Sequence, residues 1–191
     1  MIVLVDWLSV TFKNQVVNND YDLVLNSIKN ILGLPYNLPF QDTKGMYGFA
    51  KRIAYDGINI HYDRDDKLIW LEMSGQGCRN FESYGHGDWL KLFDYINQDD
   101  CNVTRIDIAI DDKEGILKLK RLANDTLNQK YVSKFEFYDV RQSSKGITIY
   151  HGSPQSDVRI RIYDKALERG YDEATHWVRF EIQMRRKRAI N

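Results

Sequence analysis

The sequence predicts an α+β fold: a curved, mainly antiparallel β-sheet with helices packed on one face. Three observations carry the prediction. Several short segments alternate apolar and polar residues with the period of two that a strand imposes. A few others repeat apolar residues at helical spacing. The two kinds occur in the order βα, βββ, α, β, α, ββββ, and runs of strands with a few helices indicate antiparallel sheet covered on one side.

Ile2 to Phe12 is β-rich and partly alternating, so it forms the first strand. Asp20 to Leu34 carries Leu23, Leu25, Ile28, Ile31 and Leu32 at helical spacing, and Gly33 and Pro35 end it. After a loop with Pro39 and Gly45, three strands are expected at about Gly48–Tyr55, Ile58–Tyr62 and Leu68–Met73. Asp56-Gly57 reads as a tight hairpin turn and Asp63–Lys67 as a second. Ser74 to Arg79 reads as a glycine loop, and Asp88 to Asn97 as a helix with Trp89, Leu90, Leu92, Phe93 and Ile96 on its apolar side. Val103 to Asp111 is a strand, and Lys113 or Glu114 to Leu127 a helix. Lys134–Val140, Gly146–Tyr150, Val158–Tyr163 and Trp177–Met184 complete the strands. Residues 2–73 and 103–164 could be two copies of one βα-hairpin unit, although no sequence repeat marks them.

The 191 residues, 43% of them hydrophobic, suit one sizeable globular domain or two small ones, and a single domain over 1–191 is expected. Formal net charge is zero, which removes any global electrostatic case for nucleic-acid binding. The distribution is uneven. Residues 1–100 hold 9 Lys and Arg against 14 Asp and Glu, and residues 101–191 hold 18 against 13. The basic half suits a polyanionic substrate. Cys78 and Cys101 have neither disulfide-framework nor zinc spacing. Asp6 interrupts the N-terminal apolar run too early for a signal peptide, and no run approaches membrane length, so a soluble, cytoplasmic protein is expected. The ending Arg185-Arg186-Lys187-Arg188-Ala189-Ile190-Asn191 has no turn or cap to close the last strand, which suggests a further C-terminal region.

The chemistry concentrates in Val158 to Lys165. Val158, Ile160 and Ile162 alternate with Arg159, Arg161, Tyr163 and Lys165, giving an apolar face and a cationic face holding one tyrosine. A tyrosine among fixed cations can act as a nucleophile toward a phosphodiester, because the cations favour its phenolate and hold the anionic substrate. An ordinary half-exposed strand would carry the same residue types. Other strands repeat the pattern. Arg105, Asp107 and Asp111 oppose isoleucines, Arg179, Glu181 and Gln183 oppose Val178, Phe180, Ile182 and Met184, and Glu72 opposes Leu71 and Met73. If helices cover the apolar face, the other face displays Asp107, Arg161, Tyr163, Glu181 and Glu72. Carboxylates are hard ligands suited to Mg²⁺ or Mn²⁺, although most strand carboxylates are solvated or paired with an arginine. His61 and His151 are candidate ligands or bases, but a lone histidine is more often structural. Tyr47, Tyr55, Tyr62, Tyr138 and Tyr150 could stack unpaired bases, with core or rim packing the commoner role. Gly75-Gln76-Gly77 is too short for a dinucleotide fingerprint.

Val5 to Phe12, Leu71 to Arg79, Thr104 to Asp112, and Thr148 to Ser153 through Arg161-Ile162-Tyr163-Asp164-Lys165 together resemble the replication initiation factor (Rep_trans) family. Trp177 to Glu181 fits that family's following strand. The family includes rolling-circle plasmid and phage initiators and related relaxases of conjugative elements. The resemblance implies a metal-dependent nicking–closing endonuclease acting in DNA replication. Its nucleophile would be Tyr163, which would keep the 5′ end as a phosphotyrosine. Asp107 and Glu181 are the implied metal ligands, Glu72 a third, and Arg161 and Lys165 would contact the phosphate or tune the phenol. No His-hydrophobe-His pair occurs, so a carboxylate-based site is implied. The expected partner is DNA, as an origin, a single strand or a hairpin. A helicase and a second copy of the chain are further candidates, and no membrane is expected. The alternative function is a non-catalytic module that binds single-stranded DNA, or a regulatory paralogue of an initiator.

Overall fold

The computed structural model describes residues 1–12, 21–35, 37–65, 68–83, 87–97, 101–131, 133–172 and 174–189. Asp20, Asp66 and Lys67, parts of a predicted helix and turn, lie outside these residues. The chain divides into two compact units, one of residues 6–106 and one of residues 107–188 with 1–5. The fold is α+β and mainly antiparallel, as the alternation predicts.

In the first unit the elements are β1 (Ile2–Phe12), α1 (Tyr21–Ile31), β2 (Phe40–Asp42), β3 (Lys51–Tyr55), β4 (Ile58–Tyr62), β5 (Ile69–Met73), α2 (Gly75–Ser83) and α3 (Trp89–Ile96). The strand order is β2-β3-β4-β5-β1, with antiparallel pairing. Asp56 and Gly57 join β3 to β4 with φ of 44° and 84°, the two positive values that a type I′ hairpin turn needs. Val24, Leu25 and Ile28 of α1 are buried, as are Leu8, Val10 and Phe12 of β1 and Ile69, Leu71 and Met73 of β5. Asp88 caps α3 by accepting from the Lys91 N–H, and Leu92 and Ile96 face inward while Leu90 is exposed.

Two expectations fail here. The segment from Gly75 is helix, not loop. Ser74 starts it: its Oγ accepts from the Gly77 N–H, and its carbonyl accepts from Cys78. The glycines serve close approach, since a Cβ on Gly77 would lie 2.3 Å from the Gly57 carbonyl oxygen. Phe40–Asp42, read as loop, forms a three-residue edge strand, too short for its alternation to register.

In the second unit β6 (Cys101–Asp112) enters at Asp107, followed by α4 (Leu119–Leu127), β7 (Tyr138–Ser143), β8 (Gly146–His151), β9 (Val158–Asp164), α5 (Lys165–Glu168) and β10 (Val178–Arg185). The strand order β7-β8-β9-β10-β6 repeats the first unit's. The duplication is therefore visible as topology, but its second copy runs to β10 rather than stopping at 164. Leu119 and Ala123 of α4 pack on Ile149, Ile162 and Val178, which places the helix on one face of β8, β9 and β10. Burying such side chains stabilises by about 1.5–3 kcal/mol each.

Helix α4 begins five or six residues later than its pattern suggests. The fully buried Asp112 carboxylate accepts from the N–H groups of Glu114, Gly115 and Leu117, so residues 113–118 form a loop folded around it. Strand β7 begins at Tyr138, not Lys134, where its ladder with His151 starts. Among the described residues no helix is long and apolar enough to cross a membrane.

Candidate active site

Antiparallel register brings the polar residues of β8, β9 and β10 onto shared rungs. Thr148, Tyr163 and Arg179 form one rung, and Tyr150, Arg161 and Glu181 the next. The Arg161 guanidinium lies 4.3 Å over the Tyr163 ring, donates to Glu181 Oε2 at 2.6 Å and reaches the Tyr163 hydroxyl at 3.3 Å. Arg179 makes a bidentate pair with Asp111 at 2.7 and 2.9 Å. Gln183 Nε2 donates to Asp107 Oδ2 at 3.1 Å. Asp107, Asp111, Arg161, Tyr163, Arg179 and Glu181 thus come together on one face. Their residue types alternate along three consecutive strands of the sheet, β9, β10 and β6.

This face is not the open display expected from the sequence. Arg179, Glu181 and Gln183 are 4%, 1% and 8% exposed, whereas the apolar Phe180, Ile182 and Met184 are only half-buried. Asp107 and Asp111 are likewise buried. Burial of so many charges is tolerable because the groups pair with one another. The electrostatics of Tyr163 also differ from expectation. Burial pushes its phenol well above the ordinary value; Arg161 opposes this and Glu181 adds to it. The neighbouring cations therefore do not make it a standing phenolate. Arg161 loses some proton affinity to burial but gains more from Glu181 and Tyr163, and its pKa is raised. Burial raises the Asp111 pKa, but the hydrogen bonds and charge of Arg179, together with Trp177 and Lys165, outweigh it and the net shift is downward.

Lys165 lies not on the strand but in the first turn of α5, capped by Asp164. It is buried, pairs with Glu168 at 2.7 Å and sits 5.4 Å from the Tyr163 ring centroid. Burial lowers its pKa. Glu72 belongs to the other unit, on a rung with Asn59 and Ser9; burial raises its pKa and Arg105 opposes the shift. Among the described residues no three of His, Cys, Asp and Glu converge as a metal cluster. Small hard ions are commonly held by one or two carboxylates with substrate phosphate and water completing the shell; the carboxylates on this face that could contribute are Asp107 and Glu181. His61 is 2% exposed and stacks on Trp70 at 5.0 Å; burial, then Arg52, depress its pKa to about 4. His151 is buried and hydrogen-bonds the Tyr131 hydroxyl. Both histidines are held in aromatic packing, His61 against Trp70 and His151 against Tyr131. Sequence reading placed Arg179 and Asp111 on this face without their pairing; the matching alternation of the two strands was the available signal.

Two repeated units and a tyrosine set among arginines and carboxylates define a class that comparison makes specific. The model of the rolling-circle replication initiation protein N-terminal domain matches residues 2–98, and that of the replication initiation factor matches residues 101–191. The chain belongs to the rolling-circle replication initiator family. It is 29% identical over 207 residues to a Bacillus subtilis (strain 168) protein named "Putative DNA relaxase NicK", covering 99% of this chain and 57% of that one. It also matches the structure of a rolling-circle replication initiator protein from Geobacillus stearothermophilus with a TM-score of 0.81 and 34% identity, covering 98% of this chain and 75% of that one.

Proposed function

We propose that this chain is a nicking–closing DNA strand transferase with Tyr163 as its nucleophile. The observation that carries the reading is the Tyr163 hydroxyl within 3.3 Å of Arg161, which Glu181 holds at 2.6 Å on the same face as Asp107. Tyr163 Oη would attack the phosphorus of one DNA strand. A P–Oη bond forms, the P–O3′ bond breaks, and the leaving 3′ oxygen takes up a proton. The 5′ end stays on the tyrosine. Because the bond energy is conserved, a later 3′-hydroxyl can reverse the step without ATP. The raised phenol pKa means that the proton must leave as attack proceeds, and Arg161 would stabilise the developing phenolate and the phosphate oxygens. Lys165, buried against the ring, would tune the phenol. Asp107 and Glu181 would hold a divalent ion, which would neutralise phosphate charge.

The test is incubation with Mn²⁺ and a supercoiled or single-stranded origin substrate, followed by denaturing electrophoresis for a covalent adduct. The parent forms it and Tyr163→Phe does not; equal behaviour of the two overturns the assignment. Calorimetric Mn²⁺ titration should show weaker binding for Asp107→Asn and Glu181→Gln, and unchanged affinity in both removes them as ligands. The burial of Tyr163, 4% exposed, favours a second reading, a non-catalytic module that binds single strands. That reading predicts binding without any adduct.

A further inference from the structure

Arg159 stands on β9 four residues before Tyr163, on the same face and about 13 Å away along the strand. Its guanidinium lies 4.1 Å over the ring of Tyr150 on β8, and its partner across β10 is Gln183. Its charged neighbours are Arg141, Arg161 and Arg185. Each of those has its own oxygen partner. Arg161 donates to Glu181, Arg141 to Asp139, and Arg185 to the Pro154 carbonyl and the Gln183 amide oxygen. Arg159 has none among the described residues: no carboxylate pairs with it, and its buried Nε–H has no acceptor.

An unanswered buried donor inside a patch of like charge is costly, and native proteins rarely leave one without a reason. The Tyr150 ring offsets part of the charge, because a guanidinium over an aromatic face is attracted by its quadrupole. It supplies no acceptor for the orphaned N–H. An anion would supply one and would also relieve the repulsion among the arginines. The patch runs on from Arg161 and Tyr163 along one sheet face. Its ligand is therefore a polymer with repeated negative charge rather than a single small ion.

We propose that Arg159, stacked on Tyr150, binds a backbone phosphate of the DNA strand a few nucleotides from the phosphate that Tyr163 attacks. The inference rests on the reading of this face as a DNA site. Arg159 holds and registers the strand and takes no part in the bond exchange.

The test uses the whole chain in a Tyr163→Phe background, where no adduct forms. The probe is a fluorescein-labelled oligothymidylate of about 20 nucleotides, longer than a typical single-strand site. Anisotropy is measured from about 50 to 200 mM salt. Arg159→Gln weakens binding about tenfold, as loss of a charged hydrogen bond would, and flattens the log–log salt slope by about 0.7. Arg159→Lys keeps the slope. Arg121→Gln, on the exposed side of α4, matches the parent. Because Arg159 loses only the Tyr150 ring contact and no ion pair, Arg159→Gln melts close to the parent. Parent-like affinity and slope in Arg159→Gln overturn the inference, as does a lowered melting temperature with no change in slope. Cleavage surviving in Tyr163→Phe would overturn the nucleophile and leave an Arg159 binding defect standing. A parent that binds no oligonucleotide overturns the DNA reading itself.

Discussion

Asp112→Asn tests whether the loop before α4 is organised by one carboxylate. Asp112 is fully buried, takes the Glu114 and Gly115 N–H groups on Oδ1 at 3.0 and 3.1 Å, and takes the Leu117 N–H on Oδ2 at 2.6 Å. His176 Nε2 lies 3.3 Å from Oδ2. Asparagine keeps Oδ1 but sets an NH₂ group against the Leu117 N–H. Losing one hydrogen bond to a charged acceptor costs about 1.5–3 kcal/mol, and the donor–donor contact brings the total to about 2–4 kcal/mol. For a chain of this size that lowers Tm by about 5–15 °C. The carboxyl also carries a pH signature. Burial raises its pKa, but the backbone N–H groups and His176 outweigh this and hold it at about 2. A folded pKa below the unfolded value stabilises above about pH 4, and that stability is lost as pH falls through about 2. The shift corresponds to at most about 2.5 kcal/mol, and solvent beside the loop reduces it to about 1–2 kcal/mol. The assay is thermal unfolding of parent and variant from pH 7 to pH 2. A Tm change within about 1 °C, or a gap that widens below pH 4, refutes the reasoning.

Asp111→Asn breaks the buried bidentate pair with Arg179 and should cost about 3 kcal/mol in urea unfolding; a loss below about 1 kcal/mol would contradict the pair's structural role. Gly77→Ala drives a Cβ to 2.3 Å from the Gly57 carbonyl oxygen. It should destabilise by about 1–3 kcal/mol, and a thermal melt within about 0.5 kcal/mol of the parent would show that α2 does not seat on the β3–β4 turn as described. His61 is held neutral, with its pKa depressed to about 4 by burial and then by Arg52. Its unfolded form binds the proton first, so the parent loses stability as pH falls from about 6.5 to 4. His61→Phe should flatten that window in thermal melts; an unchanged acid profile would count against a buried neutral histidine.

Much of the site was legible because strand periodicity is local. Arg161 and Tyr163 on β9, Glu181 on β10 and Asp107 on β6 were assigned to one face from alternation alone, and the cross-strand registers of β9 and β10 agree. Three features were not legible for reasons beyond any single segment. Lys165 continues the alternating pattern, but the Asp164 cap turns the chain into α5 there. Gly75 and Gly77 have loop composition, but the missing side chain of Gly77 admits the Gly57 backbone, that of Gly75 admits Asp6, and α2 forms there. Residues 113–118 carry helical spacing, but the Asp112 carboxylate takes the N–H groups that would have opened the helix.

The sequence by itself determined the α+β class, most of the longer strands and helices, the polar faces of the strands and the resemblance to replication initiators. All of these depend on patterns read within a few residues or on matched motifs. Only the tertiary structure decided that the polar face is the buried one, that Asp111 and Glu181 are already answered by Arg179 and Arg161, and that Arg159 is not. Burial and pairing arise from residues such as Asp111 and Arg179, 68 positions apart, meeting across strands. Burial in that packing sets the Tyr163 phenol above its ordinary pKa despite Arg161, where a row of neighbouring cations read from sequence had suggested the opposite.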